Sequence, residues 1–253
     1  MRVYIFILVI CICSLVLTIA LIVSKKFQPS SAKEDELYNI DTIDDGKIPY
    51  ILHKTGPFSK YSIPKAIENA MNRSAKHLCC VIKYYDDDDC IQLISQNFHP
   101  NVLKAYNMLK PTAYKADLFR YCCLYLYGGV YSDIGHEIFQ DYQINQDNVD
   151  MVLVKDRIDD GHKCRMQISF MATFPLNNFY KYLIEKIVLD ILDKKYGSTS
   201  LDITGPDAFG KYFSRYFKIN NIENLVNPRD LKGIDGIIYK KIIVLNFDFI
   251  KLT

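Results

Sequence analysis

The sequence predicts an α/β sandwich with a mainly parallel central sheet, preceded by one apolar span. Three observations predict it. Short apolar, β-branched runs alternate with longer segments of helical period, the order expected of strands and helices stacked in layers. Lys115 to Glu137 reads as a buried helix, a tight glycine turn and a strand ending in an acid. Val3 to Val23 carries no charged residue, and its 21 residues as a helix would cover about 30 Å, the thickness of a bilayer core.

That span is read as an uncleaved membrane anchor, because the "TIALIVSKK" stretch offers no small-x-small cleavage site. Arg2 precedes it and Lys25, Lys26 and Lys33 follow, so charge alone does not choose an orientation. Ser24 to Gly46 is polar, acidic and Ser/Pro-bearing, as a stem would be. The expected division is therefore an anchor at 1–23, a stem at 24–46 and one domain at 47–253. The 253 residues suffice for one domain with these additions. A net charge of +2 with dispersed Lys and Arg excludes a nucleic-acid groove. No CxxC pair with zinc-like spacing occurs among the eight cysteines, and Cys122 and Cys123 read as small core residues. Asn72-Arg73-Ser74 is a glycosylation sequon.

The domain opens with a strand at Ile48–His53, and Pro49 suits its first residues. Pro64 at a first-turn position introduces a helix over Ile63–Ser74. Cys79–Tyr85 is a second strand. The four acids Asp86–Asp89 then stand where a helix N-terminus wants caps and negative charge, and are read as that rather than as a metal cluster. Pro100–Leu109 is a further helix, and Pro111 introduces the next. In that next helix Asp117 and Arg120 are the only charges between Ala116 and Ser132, and their spacing puts them on one face. The rest is apolar almost all round, so the helix is buried and the pair needs a partner or a polar cavity. Gly128 and Gly129 end it through the left-handed region that glycine tolerates. Val130–Asp133 follows as a strand whose terminal acid lies where open α/β sheets bind ligands. Met151–Val154 and Ile168–Thr173 read as strands, and Tyr180–Leu192 as an amphipathic helix. Thr204-Gly205-Pro206-Asp207 opens another helix, and Ile242–Phe247 is a last strand.

Ala116, Asp117, Arg120, Tyr121, Gly128, Gly129, Tyr131 and Asp133 together resemble a known pattern. Glycosyltransferases of the inositol-phosphoceramide mannosyltransferase type, the DXD sugar-binding family, read roughly A-D-x-x-R-Y, then G-G-x-Y-x-D-x-D. Here the second acid of the motif is Gly135. The resemblance implies a GT-A-like nucleotide-sugar-binding sandwich and a GDP- or UDP-sugar donor. It also implies a glycan or sphingolipid acceptor and transfer with retention of configuration. The enzyme would be a single-span type II protein of the Golgi or secretory lumen. It further implies Asp133 as the catalytic acid and a ligand of Mn2+ or Mg2+. Asp117, Arg120, Gly129, Tyr131, Thr204 and Gly205 would line the donor site. His53, in a stretch similar to the family's I-P-x-x-I-H, either faces the nucleotide or is a core histidine. On an extended strand residues 133, 135 and 137 share a side, so Glu137 or water would stand in for the missing second acid. Related enzymes continue beyond this last strand, so a short C-terminus is expected. With Gly135, this leaves a catalytically inactive binding or scaffold relative as the alternative.

Overall fold

The computed structural model describes residues 47–145, 149–156, 164–221, 228–230, 235–239, 242–245 and 250–252. The predicted anchor and stem lie outside the described residues, as do Asn246 and Phe247 of the predicted last strand. Among the described residues no helix is long and apolar enough to cross a membrane.

β1 (Ile51–Thr55) is the hub of the N-terminal half. It pairs in parallel with β2 (Val81–Tyr85) on one side and β3 (Gly129–Ser132) on the other. Between β1 and β2 runs α1 (Lys65–Leu78), which begins after Pro64 and buries Ala70, Met71, Ser74 and Ala75 at helical spacing. Cys79 is spent as its left-handed cap, with φ 54°, which is why β2 starts at Val81 and not at Cys79 as predicted. α2 (Asp87–Asn97) opens with a capping box. Asp86 Oδ1 accepts from the Asp89 N–H at 3.1 Å, and the Asp86 N–H donates to Asp89 Oδ2 at 3.3 Å. The acid run is thus a helix cap, as its position suggests. α3 (Pro100–Met108) and α4 (Thr112–Tyr127) follow.

The expectation of a mainly parallel sheet is corrected to a mixed one. The strand order is β2-β1-β3-β6-β5-β9-β8-β7, with β6 (Met166–Thr173) antiparallel to both β3 and β5 (Met151–Lys155). The ten residues between Lys155 and Met166 are too few for the helical crossover that a parallel return needs. β9 (Ile242–Leu245) runs parallel to β5, and β8 (Asp235–Tyr239) joins it antiparallel across two residues. β7 (Pro228–Asp230) closes that edge. A separate two-stranded sheet pairs β4 (His136–Ile138) with β10 (Ile250–Leu252), a strand that hydrophobic patterning did not reveal.

Two apolar layers sandwich the main sheet. On one face α4, α5 (Asn178–Leu192) and α6 (Pro206–Phe217) bury Leu118, Phe119, Leu183, Ile187, Phe209 and Phe213. On the other, Ile48, Leu52, Leu78, Val130, Val152 and Phe170 pack together. α4 is buried on nearly every side and stops at Gly128, whose φ is +60°. At Gly129, φ +85°, an added Cβ would lie 2.7 Å from the Ile51 carbonyl oxygen, so only glycine lets β3 lie this close to β1.

Candidate active site

The parallel strands β1, β2 and β3 end on one edge of the sheet, and Asp133 is the first residue past β3. Its N–H donates to the Ser169 carbonyl at 2.9 Å, and its carbonyl accepts the His136 N–H at 3.0 Å. Asp133 to Gly135 is therefore a tight turn and not a continued strand. Oδ1 of Asp133 is ion-paired with Arg120 Nη1 at 3.1 Å and accepts a hydrogen bond from the Tyr131 hydroxyl at 3.1 Å. The side chain stays 35% exposed, while Asp117, Arg120 and Tyr131 behind it are buried. A carboxylate gripped on one oxygen and open toward solvent can meet a ligand without reorienting.

The grip comes from α4. Arg120 Nη2 lies 2.9 Å from Asp117 Oδ1, one helical turn away. Nη1 also donates to the Ile168 carbonyl at 2.7 Å, and the guanidinium carbon sits 4.6 Å from the centre of the Tyr131 ring. Burial opposes the Arg120 charge, but Asp133, Tyr131 and Asp117 outweigh it and hold the group cationic. Burial pushes the Asp117 carboxyl up, against the pull of Arg120 and Thr204. Thr204 Oγ1 donates to Asp117 Oδ2 at 2.9 Å, and the Thr204 carbonyl accepts from the Tyr121 hydroxyl at 2.7 Å. Gly205 caps the N-terminus of α6. The T-G-P loop is thus tied to the Asp117 helix at a sequence separation of 87. β6 contributes through a bulge: its register to β5 shifts between Leu153 and Val154, leaving Ile168 to Phe170 outside that ladder. Those residues present the carbonyls that hold Arg120 and the Asp133 N–H, the re-aiming that bulges perform.

Two expectations are corrected. Glu137 does not continue one extended strand from Asp133, because the turn at Asp133–Gly135 breaks the strand alternation. It is instead held by Arg73 of α1, Nε to Oε1 at 2.6 Å and Nη2 to Oε2 at 3.0 Å. His53 is a core histidine and not a nucleotide contact. It is fully buried, with Nδ1 3.1 Å from the Tyr85 hydroxyl and Nε2 2.9 Å from the Gly128 carbonyl. Gly135 lies in open space, with nothing within 4 Å of an added Cβ.

Sequence reasoning passed over Lys54. It is fully buried, and Nζ donates to Ser132 Oγ at 3.3 Å, to the Asp133 carbonyl at 2.9 Å and to the His136 carbonyl at 2.8 Å. Burial pushes its ammonium down to about 8, while Asp133 and Glu137 pull it back. Asp117, Arg120, Asp133, Lys54, Glu137 and Arg73 thus alternate in sign along the site, three charges of each kind.

Burial pushes the His53 ring down to about 3 from its ordinary 6.5, against the Gly128 hydrogen bond. Between those values the unfolded chain binds a proton that the fold refuses, so stability falls as pH drops below 6.5. The expected loss is about 3 kcal/mol by pH 4. His53→Gln keeps a donor and an acceptor without titrating. Urea unfolding at pH 7 and pH 4 should show a shallower acid loss in the variant; equal losses would remove His53 as the cause.

Comparison with known proteins finds a related sequence region and a related fold. Residues 62–157 match the family described as glycosyltransferase sugar-binding region containing DXD motif. The segment includes Asp117, Arg120, Gly129, Tyr131, Asp133 and Glu137, and leaves out His53, Lys54, Thr204 and Gly205. An uncharacterized glycosyltransferase, L373, of Acanthamoeba polyphaga mimivirus is 32% identical over 93 residues, 34% of this chain. The match spans 35% of that protein's length. Among solved structures, the PaToxG glycosyltransferase aligns with a TM-score of 0.56 at 13% identity, covering 68% of this chain and 70% of that one. The last is a likeness of fold, a mixed-sheet α/β sandwich.

Proposed function

We propose that this chain transfers a hexose from a nucleotide-diphosphate sugar to a hydroxyl of a glycan or glycolipid acceptor, binding its donor in the GT-A manner above Asp133. The observation that carries the reading is the Asp133 carboxylate, outward-facing at the end of β3 and held from behind by Arg120 and Tyr131. The family match and the fold support sugar transfer in general. Mannose from a GDP donor, retention of configuration and a membrane-anchored luminal enzyme are the finer terms of the proposal.

The residues fit a hard divalent cation held by one carboxylate. Among the described residues no group of three or more His, Cys, Asp or Glu gathers to cage a metal. Mg2+ and Mn2+ in such sites commonly take one or two carboxylates and complete their shell with substrate phosphates and water. Asp133 would be the protein ligand, and a bound cation would neutralise charge on the leaving diphosphate. The chain's own part is positional. Arg120 and Tyr131 fix the carboxylate, Asp117 pairs with Arg120, and Thr204 of the T-G-P loop holds Asp117. No side chain here is assigned as a nucleophile.

Gly135 favours a second reading, a relative that binds a nucleotide without turnover. The test is hydrolysis of a panel of GDP- and UDP-sugars by the full chain with Mn2+. Turnover of one donor carries the proposal; none from a folded protein sinks it. Gly135→Asp separates a weakened enzyme from a lost one, since the space at 135 admits the side chain. It is expected to lower the half-saturating Mn2+ concentration by about tenfold, roughly 1.4 kcal/mol of added ligand energy. An unchanged metal requirement would place position 135 away from the cation.

A further inference from the structure

Lysine is almost never fully buried unless its charge is paired, because desolvating an ammonium costs several kcal/mol. Lys54 is fully buried near the C-terminal end of β1, and it sits directly beneath the turn that presents Asp133. Its three protons are all committed. One goes to the last residue of β3, one to the carbonyl of Asp133 and one to the carbonyl of His136, the first residue of β4. The ammonium therefore closes the loop 132–136 from below. The remaining ties on the Asp133 backbone are the Ser169 carbonyl and the His136 N–H. Above the turn Gly135 offers no side chain to brace it.

We propose that Lys54 is a positioning residue for Asp133, fixing the backbone of the Asp133–His136 turn so that the carboxylate faces the donor and its cation. It does not touch the donor itself, since its protons are spent on the turn and none of it is exposed. The idea rests on the reading of Asp133 as the ligand-facing acid. It explains why a costly buried charge stands here: no neutral side chain offers three donors from one atom, and the ammonium spends one on each of two carbonyls and a hydroxyl. A hydrophobic stem with a fixed cationic head does inside the protein what an ion does in a carbonyl-lined loop.

The test compares the full-length wild type, Lys54→Met and Lys54→Arg. Mn2+ binding is read from the loss of the free-ion paramagnetic resonance signal, and donor turnover is measured against Mn2+ concentration. Lys54→Met is expected to raise the half-saturating Mn2+ about tenfold or more, the scale of losing a group that orients a metal ligand, with kcat largely recovered at saturating Mn2+. Lys54→Arg should recover part of the shift. A drop in melting temperature with the wild-type Mn2+ requirement would make Lys54 merely structural and overturn the inference. Should Lys54→Met not fold, Ser132→Ala removes one of the three acceptors and must move the requirement in the same direction; no movement overturns it. Wild-type turnover without Mn2+ dependence also overturns it while leaving glycosyl transfer standing. A wild type that neither binds Mn2+ nor turns over any donor overturns both readings.

Discussion

Asp133→Asn is expected to lower donor turnover by at least about a hundredfold while leaving the melting temperature near that of the wild type. Asparagine keeps the shape and can still accept from Arg120 and Tyr131, so the fold loses little. The charge is what disappears, and with it the ligand that, on the proposed reading, would hold a cation worth several kcal/mol of transition-state stabilisation. The side chain's exposure makes the substitution cheap for the core and costly for the chemistry. Steady-state kinetics with the donor identified in the panel, beside a thermal melt, decides the matter. Turnover within a few-fold of the wild type would take Asp133 out of the site.

Arg120→Met should have the largest effect on stability, a loss of about 3–5 kcal/mol, the cost of leaving buried charge uncompensated. Arg120 is buried, pairs with two carboxylates and donates to the Ala116 and Ile168 carbonyls, so its removal strands Asp117, weakens the hold on Asp133 and leaves the Ile168 carbonyl unmet. Arg120→Lys should fare little better, because an ammonium cannot reproduce the planar fork that serves four acceptors. Adding Asp117→Asn to Arg120→Met should restore part of the loss by removing one of the stranded charges. Chemical denaturation of the four proteins tests the set. A loss under about 1 kcal/mol for Arg120→Met would mean that the pair is not truly desolvated.

Local chemistry was legible in the sequence, and so were the elements it controls. The capping acids at Asp86 and Asp89, the glycine stop at 128 and 129 and the stripe of α5 all act over a turn or two, and patterning finds such features. Asp117, Arg120 and Asp133 came out together because their spacing along one helix, turn and strand brings them together. What patterning could not reach was set by distant partners. Lys54 lies 79 residues from Asp133, and in the linear text it is one more lysine at the end of a strand. The bulge in β6 has no composition of its own. Glu137 was misdirected because a two-residue alternation was carried through a turn whose hydrogen bond, His136 to Asp133, is invisible without coordinates. The mixed sheet arises where β6 and β8 run against their neighbours, and the short β5–β6 connection was hidden because the predicted strands, ending at Val154 and starting at Ile168, left room for a crossover that the longer observed strands remove.

The pairing of β4 with β10 matters for anyone who wishes to handle this protein. β10 is the strand partner of His136–Ile138 among the described residues, and His136 begins where the Asp133 turn ends. A purification tag or fusion partner joined directly after Leu252 would pull on a strand one step removed from the solvent-facing carboxylate of Asp133. A trimmed version lacking 250–252 would leave β4 with an open edge and put the register of the turn at risk. Labels, tethers and crystallisation trims therefore belong elsewhere, and the three-residue strand at 250–252 is to be treated as part of the mounting of the Asp133 turn.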